Sequence, residues 1–101
     1  MGWATGHIAR LRLGETVSFR PRGHSMKGKV NDRALVTVEP VTDASSIEVG
    51  DVVLCSVRGA RYLHLVKARR GDRLLIGNNI GGTNGWISPS QLSGKLVRVD
   101  P

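Results

Sequence analysis

A small all-β domain, a coiled antiparallel sheet or barrel with a short N-terminal helix, is the fold class that this sequence predicts. Three observations carry it. Aromatic residues make up only 4% of the 101 residues, so the core must be built of Val, Leu and Ile, and β-branched residues suit a pleated, half-buried surface. Short apolar or alternating runs recur at roughly 8–12-residue spacing, with Gly, Pro, Asn and Asp between them. No alternation of strand-length and helix-length patterns points to a parallel sheet. The length suits one domain, with residues 1–15 as an N-terminal cap and residues 16–99 as the core.

The elements follow in chain order. Residues 5–13 read as a short helix with Ile8, Leu11 and Trp3 on its apolar side and Gly14 as its stop. Leu11-Arg12-Leu13 also alternates like a strand. Residues 16–20 alternate and then meet Pro21. Residues 34–38, Ala-Leu-Val-Thr-Val, form a strand closed by Glu39-Pro40. A turn at residues 47–51 feeds a strand over 52–57. Arg58-Gly59-Ala60 turns the chain into a strand over 61–68, and Arg70-Gly71-Asp72 turns it again into 73–76. Residues 77–85, rich in Gly and Asn, read as a loop. Residues 94–99 form the last strand.

No apolar run approaches the roughly 20 residues that cross a membrane. The opening MGWATGHIARLRLGE has neither a secretory apolar region nor a small-residue cleavage pattern, so a cytoplasmic location is expected. Cys55 is alone in the chain, which fits a reducing compartment. Its setting in Val52-Val53-Leu54-Cys55 reads as buried core.

The net charge is +7, unevenly spread. Residues 1–33 carry seven Arg and Lys against Glu15 and Asp32, and residues 58–73 carry six against Asp72 alone. Residues 34–57 have four acids and no base. The two basic stretches are expected to share a face. Such a face admits an anionic partner, nucleic acid or a membrane surface, or serves only to keep a small domain solvated. No aromatic stacking platform is interleaved with the charges.

The stretch Gly23-His24-Ser25-Met26 admits two readings: Ser25 is a nucleophile held out on a turn, or it is one more polar loop residue. A serine hydroxyl needs a base within reach and donors for the oxyanion. A sharp turn beside a glycine exposes its Oγ to a substrate. In Arg61-Tyr62-Leu63-His64-Leu65-Val66-Lys67, strand alternation puts Tyr62, His64 and Val66 on one face and Leu63, Leu65 and Lys67 on the other. With an ordinary pKa near 6.5, His64 can take a proton from a serine at neutral pH; spacing alone equally allows a half-buried strand histidine with a backbone partner. Lys67 needs burial to lose its proton, and beside Arg69 and Arg70 it reads as solvated. One cysteine and three scattered histidines are too few for a metal site. Residues 80–85 are Gly-rich but follow a strand and lack lysine. No cofactor is expected.

Gly23-x-Ser25-Met26, then Ala34-Leu35-Val36-Thr37-Val38, Gly50-Asp51-Val52-Val53, Tyr62-Leu63-His64-Leu65-Val66, Gly71-Asp72, Ile76-Gly77-Asn78-Asn79 and Gly94-Lys95-Leu96-Val97 resemble, in order and spacing, the LexA-repressor and type I signal-peptidase superfamily of serine peptidases. The resemblance spans residues 16–99. It implies that Ser25 is the nucleophile and His64 the base, in a Ser–His variant, with Gly23 and Met26 shaping the serine corner. It also implies a peptide or protein substrate bound in extended conformation. Four positions depart from the family pattern. Gly28 stands near an expected proline, Arg33-Ala34 replaces Gly-Asp, Leu65 replaces an arginine, and Asn78 occupies the place of an acid that orients the histidine. Asn78 can hydrogen-bond an imidazole but cannot stabilise an imidazolium as a carboxylate does. Three functional classes follow: a serine endopeptidase, a non-catalytic peptide- or protein-binding member, and a basic nucleic-acid-binding β-domain.

Overall fold

The computed structural model describes residues 2–101. Its elements are α1 (Thr5–Arg12), β1 (Val17–Phe19), β2 (Leu35–Pro40), β3 (Val52–Val57), β4 (Ala60–Arg70), β5 (Arg73–Gly77), β6 (Thr83–Ile87) and β7 (Leu92–Asp100), with 3-10 turns at Ala44–Ser46 and Pro89–Gln91. The strands form one sheet in the order β1-β2-β7-β3-β4-β5-β6. Every neighbouring pair is antiparallel. The protein is mostly β, as its sequence predicts.

Strand alternation gives this sheet a core on each face. In β3, Val52 and Leu54 point to one side, and Val53, Cys55 and Val57 to the other; all five are buried. The first core joins Ile8 and Leu11 of α1 to Met26, Val36, Val38, Leu54 and Leu63. The second joins Ile47, Val53, Cys55, Val66, Leu74, Ile76 and Ile87. The sheet coils to cover the second core. A Cβ added at Gly85 in β6 would lie 3.5 Å from a Val57 methyl in β3, although β6 is three places from β3 in the strand order.

Local chemistry sets the joints. Val57 pairs with Ala60 across a two-residue loop in which Arg58 (φ 51°) and Gly59 (φ 84°) are both left-handed. That is the type I′ arrangement, whose twist matches the flanking strands. It fixes the register so that Val53 faces His64 and Cys55 faces Tyr62. Tyr62 and His64 therefore share a face, and Leu63 takes the other, as the alternation predicts.

Helix α1 buries Ile8 and Leu11, and Ala4 at its N-cap is buried with them, while Trp3 precedes the helix and is half exposed. Trp3 is thus not on the packed side that the sequence assigned to it. The helix rests on Gly94 of β7, where an added Cβ would come within 3.0 Å of Leu11 Cδ1 and 2.5 Å of Val38 Cγ1. The strand alternative for residues 11–13 is not adopted: the Gly14 N–H donates to the Leu11 carbonyl and closes the helix.

Two other elements differ from expectation. Residues 83–87, read in part as loop, form the edge strand β6. Asn84 and Gly85 have poor strand propensity, and pairing with β5 overrides it. The last strand begins at Leu92 rather than Gly94, after a 3-10 turn closed by Ser88 and Gln91. Among the described residues no helix is long and apolar enough to cross a membrane.

Candidate active site

The serine corner is built by backbone geometry and anchored by two apolar side chains. Gly23 sits at φ 117°, a conformation that L side chains rarely adopt, and its N–H donates to Asp32 Oδ1 at 2.7 Å. The chain then turns, with the Lys27 N–H donating to the His24 carbonyl (3.1 Å) and the Val30 N–H to the Met26 carbonyl (2.7 Å). Met26 and Val30 plunge into the first core and hold the turn from below. Ser25, between the exposed His24 and buried Met26, is half-buried.

The loop after β5 clamps this turn to the sheet. The Asn79 N–H donates to the Ser25 carbonyl, and Asn79 Nδ2 donates to the Lys27 carbonyl, each at 2.8 Å. Gly28 makes room: a Cβ there would lie 3.3 Å from Asn79 Nδ2, on a backbone at φ 97°.

Ser25 and His64, 39 residues apart, meet across this clamp. Ser25 Oγ is 3.1 Å from His64 Nε2. On the far side of the ring, Nδ1 is 2.8 Å from Asn84 Oδ1. An amide oxygen only accepts, so Nδ1 carries the proton and donates it to Asn84. That leaves the Nε2 lone pair for the Ser25 hydroxyl, which donates to it. Burial of the ring pushes the His64 pKa below its ordinary value, and the hydrogen bond to Asn84 opposes this only in part. The imidazole is thus neutral at neutral pH and free to accept a proton. The Tyr62 ring lies against it, with centroids 4.8 Å apart.

Asn78 does not meet the histidine, contrary to the role the sequence gave it. Its Oδ1 accepts from the Gly82 N–H at 2.7 Å and the Ile80 N–H at 3.0 Å, which pins the 78–82 loop. Asn84, six residues on, takes the position. The cause is a β-bulge. Ile76 pairs with Gly85 and Gly77 with Thr83, so Asn84 is an extra residue in β6, and a bulge re-aims a side chain. A register slip of this kind has no sequence signal beyond the glycine beside it. Asn79 was likewise named only as part of a motif, and its clamp emerges from the fold.

The remaining candidates fall simply. Lys67 lies at the β4 irregularity between Val66 and Ala68, half-buried, with its stem against Gly77; Ser25 Oγ bonds His64 instead. Cys55 is fully buried and its thiol is pushed up to about 12, so it is not a nucleophile.

A cleft of about 630 Å³ opens beside Ser25 and His64. Among the described residues, neither the Ser25 nor the Met26 N–H has an intramolecular acceptor. Strand β4 pairs with β5 only from Leu65 onward, so residues 61–64, which line the cleft, are paired with β3 alone. The arrangement presents a hydroxyl with a base, two free backbone donors and a length of unpaired strand edge. Compared with protein-family models and with curated proteins, the chain matches none.

Proposed function

We propose that this protein is a serine hydrolase acting on peptide bonds, built on the LexA/signal-peptidase plan that its motifs resemble, with Ser25 as nucleophile and His64 as general base. The observation that carries the reading is the continuous chain Ser25 Oγ–His64 Nε2, Nδ1–Asn84 Oδ1, at 3.1 and 2.8 Å. The Oγ proton passes to Nε2 as Oγ bonds to the substrate carbonyl carbon. The carbonyl oxygen takes the negative charge and is held by the free N–H groups of Ser25 and Met26. His64 then gives its proton to the leaving amine as the C–N bond breaks, leaving an acyl ester on Ser25. Water, deprotonated by His64, reverses the sequence and frees the acid. The unpaired edge at residues 61–64 supports a substrate bound as an added strand.

Two departures from the family pattern are accommodated locally. Arg33, where the family has glycine, sits at φ 62°, the left-handed conformation that glycine takes without penalty. The backbone at that corner therefore keeps its course. The place of the orienting acid passes from Asn78 to Asn84, which fixes the tautomer without supplying charge. That lack of charge favours the second reading, a peptide-binding member with slow or no turnover.

A p-nitrophenyl ester assay tests the proposal. The expected result is a burst of nitrophenolate equal to the enzyme present, followed by slow turnover, and no burst from Ser25→Ala or His64→Ala. A burst that survives Ser25→Ala contradicts the assignment; no burst from the wild type leaves the binding reading.

A further inference from the structure

The cleft has a chemical character that the dyad does not require. Its outer wall is aromatic: the His7 ring stacks on Phe19 at 4.3 Å and Trp3 tilts against Phe19 at 5.7 Å. Trp3 stays 52% exposed at the cleft mouth. The wall is assembled from His7 of α1, Phe19 of β1 and Trp3 just before the helix, and the seat of α1 on Gly94 holds the helix against the sheet. The same cleft is lined by Arg20, Arg22 and Arg61 and by no acidic residue. Arg20 and Arg22 come from the first basic stretch and Arg61 from the second, so the two meet at this opening.

These arginines are not consumed by internal ion pairs. Among the described residues, Arg22 and Arg61 pair with no carboxylate. Arg61 donates to the Gly59 carbonyl, and Arg20 to the backbone oxygens of Arg33 and Pro101. The nearby acid, Asp32, is engaged by the Gly23 N–H and the Arg33 side chain. A guanidinium whose only internal partners are backbone oxygens keeps donors for a carboxylate, and a cleft of one sign attracts the opposite charge.

We propose that the cleft selects acidic peptide segments that carry a large aromatic side chain, the aromatic residue lying on Trp3 and Phe19 and flanking carboxylates meeting Arg22 and Arg61. This names the substrate class of the hydrolase proposed above and rests on the reading of the cleft as a peptide site. It does not rest on turnover. Nucleic acid shares the negative charge, but the aromatic wall is a single patch beside an unpaired strand edge, which suits one peptide side chain and an extended backbone rather than a row of stacked bases.

Binding to full-length Ser25→Ala protein, measured by fluorescence anisotropy, tests this without catalysis. Three labelled ten-residue peptides serve as probes: one phenylalanine flanked by glutamates, the same with lysines for glutamates, and the glutamate peptide with alanine for phenylalanine. A labelled single-stranded oligonucleotide is the fourth. The glutamate–phenylalanine peptide is expected to bind about tenfold more tightly than either other peptide, of the order that a charge-assisted contact and a buried aromatic face each supply. Arg22→Glu with Arg61→Glu should invert the charge preference, and Trp3→Ala should erase the phenylalanine preference alone. Equal binding of the lysine peptide, no peptide binding, or tighter oligonucleotide binding overturns the inference. If the acidic peptide binds selectively while the wild type gives no ester burst, the selectivity stands and the hydrolase reading fails; a burst with no charge preference gives the reverse.

Discussion

Replacing Asn84 by aspartate exchanges one NH2 group for an oxygen and leaves the length of the Ser25–His64–Asn84 chain unchanged. Oδ1 already lies 2.8 Å from His64 Nδ1, so the tautomer is the same in both proteins. What changes is charge. The carboxylate favours the imidazolium, and so opposes the burial that now holds the His64 pKa down. A charge-assisted hydrogen bond exceeds a neutral one by about 1 kcal/mol, which is about five- to tenfold in the rate of a step that forms the imidazolium. Replacing Asn84 by alanine acts oppositely: it leaves a buried Nδ1–H without an acceptor, at about 1–3 kcal/mol of stability, and frees the ring to adopt the wrong tautomer. The assay is twofold: the midpoint of the His64 ring-proton NMR titration, and the pH profile of the ester burst rate. Wild type should titrate below 6.5 and Asn84→Asp above wild type, with a plateau rate about five- to tenfold higher. If Asn84→Asp and Asn84→Ala leave both the midpoint and the burst unchanged, Asn84 does not act through His64.

Other expectations follow from the same geometry. Because the folded-state pKa of His64 lies below its unfolded value, its contribution to stability is full above the unfolded pKa near 6.5 and declines as pH falls from there to the folded value. Urea midpoints across that window should therefore fall more steeply in wild type than in His64→Gln. Met26→Ala removes the anchor of the serine turn from the first core and should cost about 2–4 kcal/mol by denaturant unfolding. Gly94→Ala should cost about 1–3 kcal/mol, since the new methyl meets Val38, the Glu39 carbonyl and Leu11 together; its circular dichroism should lose the helix before the sheet. Arg33→Gly relieves a left-handed arginine and should stabilise by about 0.5–1 kcal/mol, the relief being partly offset by the entropy of glycine.

The parts of the fold written in local chemistry were legible in the sequence. The Arg58-Gly59 hairpin, the alternation that puts Tyr62 and His64 on one face, and Gly14 ending α1 all depend on residues close together in the chain. Ser25 and His64 were expected to pair from the order of the motifs that carry them, and they lie 3.1 Å apart. The third member could not. Motif order pointed to Asn78, but which asparagine reaches the ring depends on a bulge in β6, and that bulge depends on pairing with β5. Strand β6 itself was obscured because Asn84 and Gly85 are weak strand formers. The aromatic wall was also hidden: Trp3 read as core, whereas Ala4, Ile8 and Leu11 fill that role and leave Trp3 at the cleft mouth.

Mass spectrometry after exposure to a fluorophosphonate reports whether His64 activates Ser25. A single adduct is expected on the peptide containing Ser25, absent in Ser25→Ala, and formed at least a hundredfold more slowly in His64→Ala, the lower range of what a general base supplies. The labelling rate of the wild type should rise with pH to a plateau reached by neutral pH, as the lowered pKa of His64 requires. No adduct at Ser25, or labelling at the same rate in His64→Ala, would contradict it.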